Sequence, residues 1–141
     1  MKAPLFWFNP PARPGIWPRV LHPLSILWSF LSDRRQKNGK NLRVSVPVVC
    51  VGNINVGGTG KTPTVIKLMS IFNELGIVAH VISKGYGGST KGPLSVDEVV
   101  HTASDVGDEP LLIAAFGQCW VAKDRAAGAK AAIEAGAEVL I

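Results

Sequence analysis

The run Gly52-Asn53-Ile54-Asn55-Val56-Gly57-Gly58-Thr59-Gly60-Lys61-Thr62 constrains this chain more than any other stretch. An apolar segment, Val46 to Val51, leads into it, and a helical pattern from Thr62 to Leu75 follows. Strand, glycine-rich loop and helix in that order are the context a P-loop requires. The glycines let consecutive backbone N–H groups turn inward around a phosphate, and the positive end of the helix adds to that field. On this reading Asn55, Val56, Gly57, Gly58, Thr59 and Gly60 cradle the phosphates. Lys61 reaches the β- and γ-phosphates, and the Thr62 hydroxyl sits on Mg²⁺. Asn55 stands where the first glycine is usual, a position that mainly shapes the loop entrance. The plain alternative, a glycine-rich turn with a surface lysine, leaves the flanking strand and helix unexplained. A P-loop fixes the ligand class and leaves the reaction open.

The flanking pattern predicts an α/β fold of the P-loop NTPase type, with a mainly parallel sheet flanked by helices. It carries an amino-terminal interfacial helical segment, which divides the chain into 1–43 and 44–141. Strands are expected at 46–51, 77–82, 94–102, 119–122 and 137–141. Val46–Val51 is apolar throughout, as a buried parallel strand should be. Helices are expected from Thr62 to Leu75, around Asp108 to Ala114, and from Lys123 to Ala135. Pro63 is tolerated in a first turn, where N–H groups lack intrahelical partners. Gly76 and Gly136 stand where left-handed helix caps belong, and Gly128 is the weak point of the last helix.

Residues 1–43 differ from the rest. They hold eight of the 15 basic residues and one acid, Asp33, so the net charge of +5 is concentrated there. Trp7, Trp17, Trp28, Phe6, Phe8 and Phe30 lie in this segment, as do six of the ten prolines. Its longest apolar stretch, Val20 to Leu31, is too short and interrupted for the roughly 20 residues a bilayer span needs. The prolines also break any signal-peptide pattern. Arg34, Arg35, Lys37, Lys40 and Arg43 follow the apolar stretch. Aromatic residues and aliphatic helices beside clustered cations describe a membrane-interfacial segment facing an anionic leaflet. The alternative is a helix that packs its leucines on the domain. Nucleic acid is the weaker partner, since aliphatic runs suit lipid better than bases.

Three further stretches carry chemistry or its alternatives. The loop Ser83 to Gly92 follows the second strand, where open α/β sheets bind ligands. Lys84, Tyr86 and Gly87 are its substrate candidates, against a flexible loop with solvated lysines. Asp108 and Glu109 open a helix, so they are either caps or catalytic carboxylates. As catalysts, Asp108 takes a proton from the attacking hydroxyl and Glu109 sits near Mg²⁺. His80 reads as a core or partly exposed histidine rather than a metal ligand, Cys50 and Cys119 as small buried apolar residues, and Arg125 as either an ion-pair partner or a phosphate contact. The cysteines lack metal-type spacing and fit a reducing cytoplasm.

Three motifs in this order resemble a known family. Val51 to Pro63, Ile82-Ser83-Lys84-Gly85-Tyr86-Gly87-Gly88, and Val106-Gly107-Asp108-Glu109-Pro110 look like the tetraacyldisaccharide 4′-kinases of Gram-negative bacteria. The resemblance implies ATP and Mg²⁺ as cofactors and a lipid disaccharide 1-phosphate as substrate, phosphorylated on its 4′-hydroxyl to lipid IV-A in lipid A biosynthesis. It implies catalytic roles for Lys61 and Asp108, metal roles for Thr62 and Glu109, and substrate contacts at Lys84, where the family often has arginine. It also implies a place at the cytoplasmic face of the inner membrane, with no nucleic-acid partner. The family is about twice as long, so a Walker B acid is expected after Ile141. The rivals are a membrane-associated regulatory ATPase, whose Lys-Gly-Gly run is absent at Val56-Gly57-Gly58, and a nucleotide-binding fragment without activity.

Overall fold

A computed structural model of the chain describes residues 4, 8–10, 13, 15–38, 42–52 and 60–141. They fall into two compact units, Met1–Asn41 and Leu42–Ile141. Among the described residues, the first unit holds one α-helix, α1 (Ile16–Asn38), with Pro23 inside it. Short apolar helices are expected there, and the helix runs 23 residues, on through Pro23, with the Ser25 hydroxyl donating to the His22 carbonyl at 2.8 Å. None of its described side chains is buried. Among the described residues, no helix is long and apolar enough to cross a membrane.

The second unit is a sheet between two helical layers. Its elements are α2 (Lys61–Glu74), β1 (Ala79–Ser83), β2 (Leu94–Ser95), α3 (Ala103–Val106), α4 (Asp108–Ala114), β3 (Cys119–Val121), α5 (Arg125–Glu134) and β4 (Val139–Leu140). Strand order is β2-β3-β1-β4. β1 runs parallel to β3, with Val81 opposite Cys119, and parallel to β4, with Ala79 opposite Val139. β2 is antiparallel to β3. The strand leading to the P-loop is shorter than expected. It forms one parallel bridge, Val48 to Leu140. Val49 N–H donates to the Leu140 carbonyl at 2.8 Å, and Leu140 N–H to the Pro47 carbonyl at 3.0 Å. Val48 is 61% exposed and Cys50 is exposed, against the expected burial of both. The reason is that this segment pairs with β4 on one side and meets no other described strand.

Alternation along the strands sorts the core into two faces. Val81, Cys119 and Val121 meet Val65 and Met69 of α2, Val106 of α3 and Ile113 of α4. Ile82, Trp120 and Leu140 meet Ala129 and Ala132 of α5. α5 lies close because Gly128 is there. A Cβ on Gly128 would sit 2.7 Å from the Ala122 Cβ and 3.3 Å from Ile82 Cγ2. The expected weak point of α5 is thus a packing contact. Asp124 caps α5, accepting from Ala126 N–H at 2.9 Å and Ala127 N–H at 3.4 Å. Gly76 and Gly136 end their helices with φ of 72° and 95°, as expected.

The strand expected over 94–102 stops at Ser95. The Asp97 side chain turns the chain instead, accepting from Val99 N–H at 2.8 Å, while Asp97 N–H donates to His101 Nδ1 at 3.0 Å. Such side-chain bonds compete with a ladder. Cys119 is fully buried, which pushes its thiol pKa up to about 12 and leaves it inert.

Of the core and partly exposed places expected for His80, the structure gives it the core, at 3% exposure. Trp120 Nε1–H donates to its Nδ1 at 3.3 Å, and the rings stack at 6.4 Å. Burial holds the imidazole pKa below 6.5, against a smaller opposing contribution from the Ala132 backbone. The folded state therefore binds this proton less readily than the unfolded chain. The stability His80 contributes is complete above its unfolded pKa of about 6.5 and is lost as pH falls through the folded value. Thermal melts should hold steady from pH 8 to about 6.5 and decline below it. His80→Gln should flatten that decline, and an unchanged slope in the variant would assign it elsewhere.

Candidate active site

The helix that follows the P-loop begins at a glycine in the left-handed region. Gly60 has φ 84° and ψ 18°. A Cβ there meets nothing within 4 Å, so conformation rather than space calls for glycine. The Gly60 carbonyl accepts from Thr64 N–H at 3.1 Å and from the Thr64 hydroxyl at 2.8 Å. Lys61 is the first residue of α2 and is exposed. Asn55, Val56, Gly57, Gly58 and Thr59, expected to line the phosphates, lie outside the described residues.

Thr62 makes the contact that defines the site. Its hydroxyl donates to Glu109 Oε1 at 2.8 Å, across 47 residues of sequence. The start of α2 and the start of α4 therefore meet. Pro63 in the first turn of α2 and Pro110 in the first turn of α4 lack N–H groups at positions where none is needed. Val65, Met69 and Ile113 hold the two helices together beneath.

Asp108 is the first residue of α4 rather than its cap. The N-cap is Gly107, with φ 92° and ψ 157°, and no side chain caps this helix. Asp108 is exposed, and no described residue donates a hydrogen bond to its carboxylate. One turn earlier, the Asp105 carboxylate accepts from Thr102 N–H at 2.9 Å and from the Thr102 hydroxyl at 2.6 Å. These two bonds, the hydroxyl's the larger influence, lower the Asp105 pKa.

The loop after β1 reaches the same place. Lys84 is exposed and pairs with no described residue. Tyr86 is 93% exposed. Gly87 has φ 86° with open space around it. The loop nevertheless lacks the freedom its glycines suggest. Ser89 N–H donates to the Ser104 carbonyl and Thr90 N–H to the Asp105 carbonyl, each at 3.0 Å, and Lys123 N–H donates to the Lys91 carbonyl at 2.9 Å. Gly107 lies against the Tyr86 carbonyl, so Tyr86 and Asp108 rise from touching backbone. Thr102, Asp105 and Gly107 were not singled out from the sequence. The signal for Gly107 was there: a glycine directly before an Asp-Glu-Pro helix start. Arg125 is exposed in the first turn of α5 and forms no ion pair with a described residue.

Oxygen donors from two helices meet beside an exposed carboxylate and a pinned aromatic loop. A family model for tetraacyldisaccharide-1-P 4′-kinase matches residues 17–141. The chain belongs to this kinase family. It is 54% identical over 141 residues to a tetraacyldisaccharide 4′-kinase of Dinoroseobacter shibae, covering all of this chain and 42% of that protein. It is 50% identical over 143 residues to the one of Rhodospirillum centenum, with the same coverage. The chain thus spans about two-fifths of the length of the curated relatives it matches. A crystal structure of the Aquifex aeolicus kinase in complex with ATP resembles this chain with a TM-score of 0.69 at 30% identity, over 89% of this chain and 43% of that one. The α/β fold of the P-loop kinase type is therefore this chain's fold, and membership in the kinase family leaves the regulatory-ATPase reading without support.

Proposed function

We propose that this chain supplies the nucleotide-binding part of an enzyme that transfers the γ-phosphoryl of ATP to the 4′-hydroxyl of a tetraacyldisaccharide 1-phosphate. The observation that carries this reading is the Thr62–Glu109 hydrogen bond, which puts the P-loop helix beside the Asp108–Glu109 turn. The names of the relatives supply the substrate, and the ATP complex of the Aquifex aeolicus protein supplies the donor. Asn55, Val56, Gly57, Gly58, Thr59 and Gly60 hold the phosphates on this reading, and Lys61 offsets charge on the transferred group. Lys84, Tyr86 and Gly87 face the acceptor.

Thr62 and Glu109 present two hard oxygen donors within hydrogen-bond distance, which fits Mg²⁺. Among the described residues no group of three or more His, Cys, Asp or Glu could hold a metal alone. Such a pair suits an ion that keeps waters and binds substrate phosphates. When bound, the ion neutralises charge on the phosphates. Asp108 accepts the proton of the 4′-hydroxyl as its oxygen bonds to the γ-phosphorus. The bond to the β-phosphate oxygen breaks, and ADP leaves. Positioning and charge neutralisation supply most of the catalysis.

A lipid acceptor also gives α1 a role. Trp17, Leu24, Leu27, Trp28 and Leu31 are exposed on it, and Arg34, Arg35 and Lys37 follow at its end. This composition supports peripheral binding at the anionic cytoplasmic face of the inner membrane.

Two experiments on the full-length protein test these readings. Asp108→Asn should lower kcat by about 10²–10⁴-fold, the usual worth of general-base assistance. Stability and the KM for ATP should hold. Because Gly107 is the cap, Asp108→Ala should also melt normally. An Asn variant with wild-type kcat would refute the base assignment. For the membrane, co-sedimentation with phosphatidylethanolamine–phosphatidylglycerol vesicles should be lost on deleting residues 1–34. Neutralising Arg34, Arg35 and Lys37 should weaken it by about 1 kcal/mol per cation. A deletion variant that still pellets would contradict the interfacial reading.

A further inference from the structure

The segment from Gly85 to Thr90 and the segment from Ser104 to Gly107 touch backbone to backbone. A Cβ on Gly88 would lie 2.7 Å from the Asp105 carbonyl oxygen, 2.7 Å from the Val106 carbonyl carbon and 2.8 Å from the Gly107 nitrogen. One on Gly107 would lie 2.5 Å from the Tyr86 carbonyl oxygen, and one on Gly85 3.0 Å from the Val106 carbonyl oxygen. Three glycines therefore close the gap from both sides. The Ser89 and Thr90 amides then bond the Ser104 and Asp105 carbonyls. Those carbonyls lie in the final residues of α3, and a four-residue helix leaves its last carbonyls without partners of its own. The loop acts as the carboxyl-terminal cap of α3. At the other end of α3, Thr102 holds the Asp105 carboxylate through two bonds. Backbone hydrogen bonds and excluded side chains make this contact stiff, whereas packing through long side chains would leave it adjustable.

The stiff contact carries two outward groups that no described residue binds, the Tyr86 ring and hydroxyl on one segment and the Asp108 carboxylate just beyond the other. We propose that this glycine clasp sets the distance between Tyr86 and Asp108, so that Gly88 and Gly107 are positioning residues for the acceptor hydroxyl. The inference rests on the reading of Asp108 as the proton acceptor. Its consequence is specific to the acceptor. On the nucleotide side, Glu109 has a second anchor in its bond from Thr62 of α2, which the Asp108 carboxylate lacks among the described residues.

The test is a double-mutant cycle in the full-length protein with ATP and the tetraacyldisaccharide 1-phosphate. Gly88 has no positive φ, so Gly88→Ala introduces the clash without a forbidden backbone. Displacing a reacting group by about 1 Å costs about 10²-fold. Gly88→Ala should lower kcat/KM for the lipid by that order, with the Kd for ATP unchanged. In the Asp108→Asn background the same substitution should cost only about two- to threefold, because coupled residues are not additive. Gly136→Ala, which has a positive φ in open space far from the site, controls for lost stability. Equal losses from Gly88→Ala in both backgrounds would overturn the clasp and leave Asp108 as the base. A normal Asp108→Asn enzyme would instead overturn the reading of Asp108 itself. If Gly88→Ala melts below the assay temperature, Thr102→Val, which loosens Asp105 without a clash, carries the same cycle with the same two outcomes.

Discussion

The hydrogen bond from the Thr62 hydroxyl to Glu109 joins the amino-terminal ends of α2 and α4, 47 residues apart in the sequence. A bond to a carboxylate is worth about 1.5–3 kcal/mol when shielded and less where, as here, the carboxylate is exposed. Its importance is geometric rather than energetic. Val65 and Met69 of α2 and Ile113 of α4 bring the helices onto one face of the sheet, and the bond then sets how their amino-terminal ends meet. Helix starts carry partial positive charge, which favours anionic groups such as phosphate.

Close backbone contact is the second constraint, and it recurs on both faces of the sheet. Gly128 lets α5 settle onto Ala122 and Ile82, while Gly85, Gly88 and Gly107 bring the loop after β1 onto α3. In each place a methyl group would have to displace backbone or packed carbon. Gly88 and Gly128 use the missing side chain alone, whereas Gly85 and Gly107 need it together with positive φ values of 65° and 92°. Gly60, Gly76 and Gly136 are the opposite case, with positive φ and open space. A sequence does not distinguish the two uses of glycine, because the difference lies in what arrives from elsewhere in the chain.

This explains which parts were legible beforehand. The order of the main elements and the helix stops at Gly76 and Gly136 follow from local pattern and capping, and the structure agrees with them. The errors are tertiary. Val46 to Val51 reads as a buried strand because it is apolar throughout, yet Val48 is exposed beside a single bridge. Cys50 shares that exposure. The strand expected to run to Thr102 ends early because Asp97 and His101 bond each other's backbone and ring. At the site, the P-loop pattern points Thr62 toward Mg²⁺ and the family resemblance points Glu109 there, and only the fold brings them to 2.8 Å. The reading of Asp108 as either cap or base rested on its place at a helix start, and the structure gives the cap to Gly107.

In the proposed function, Thr62 and Glu109 together form one oxygen site for the nucleotide's metal. Titrating Mg²⁺ against phosphoryl transfer in the full-length protein carrying Glu109→Gln tests it most directly. A glutamine keeps the hydrogen-bond acceptor and loses the charge. The half-saturating Mg²⁺ concentration should rise by about 10–100-fold, the usual loss when a metal's supporting groups are altered, while the thermal melt and the affinity for metal-free nucleotide stay as they were. A half-saturating concentration equal to that of the unaltered protein would contradict the claim and reduce the contact to helix packing.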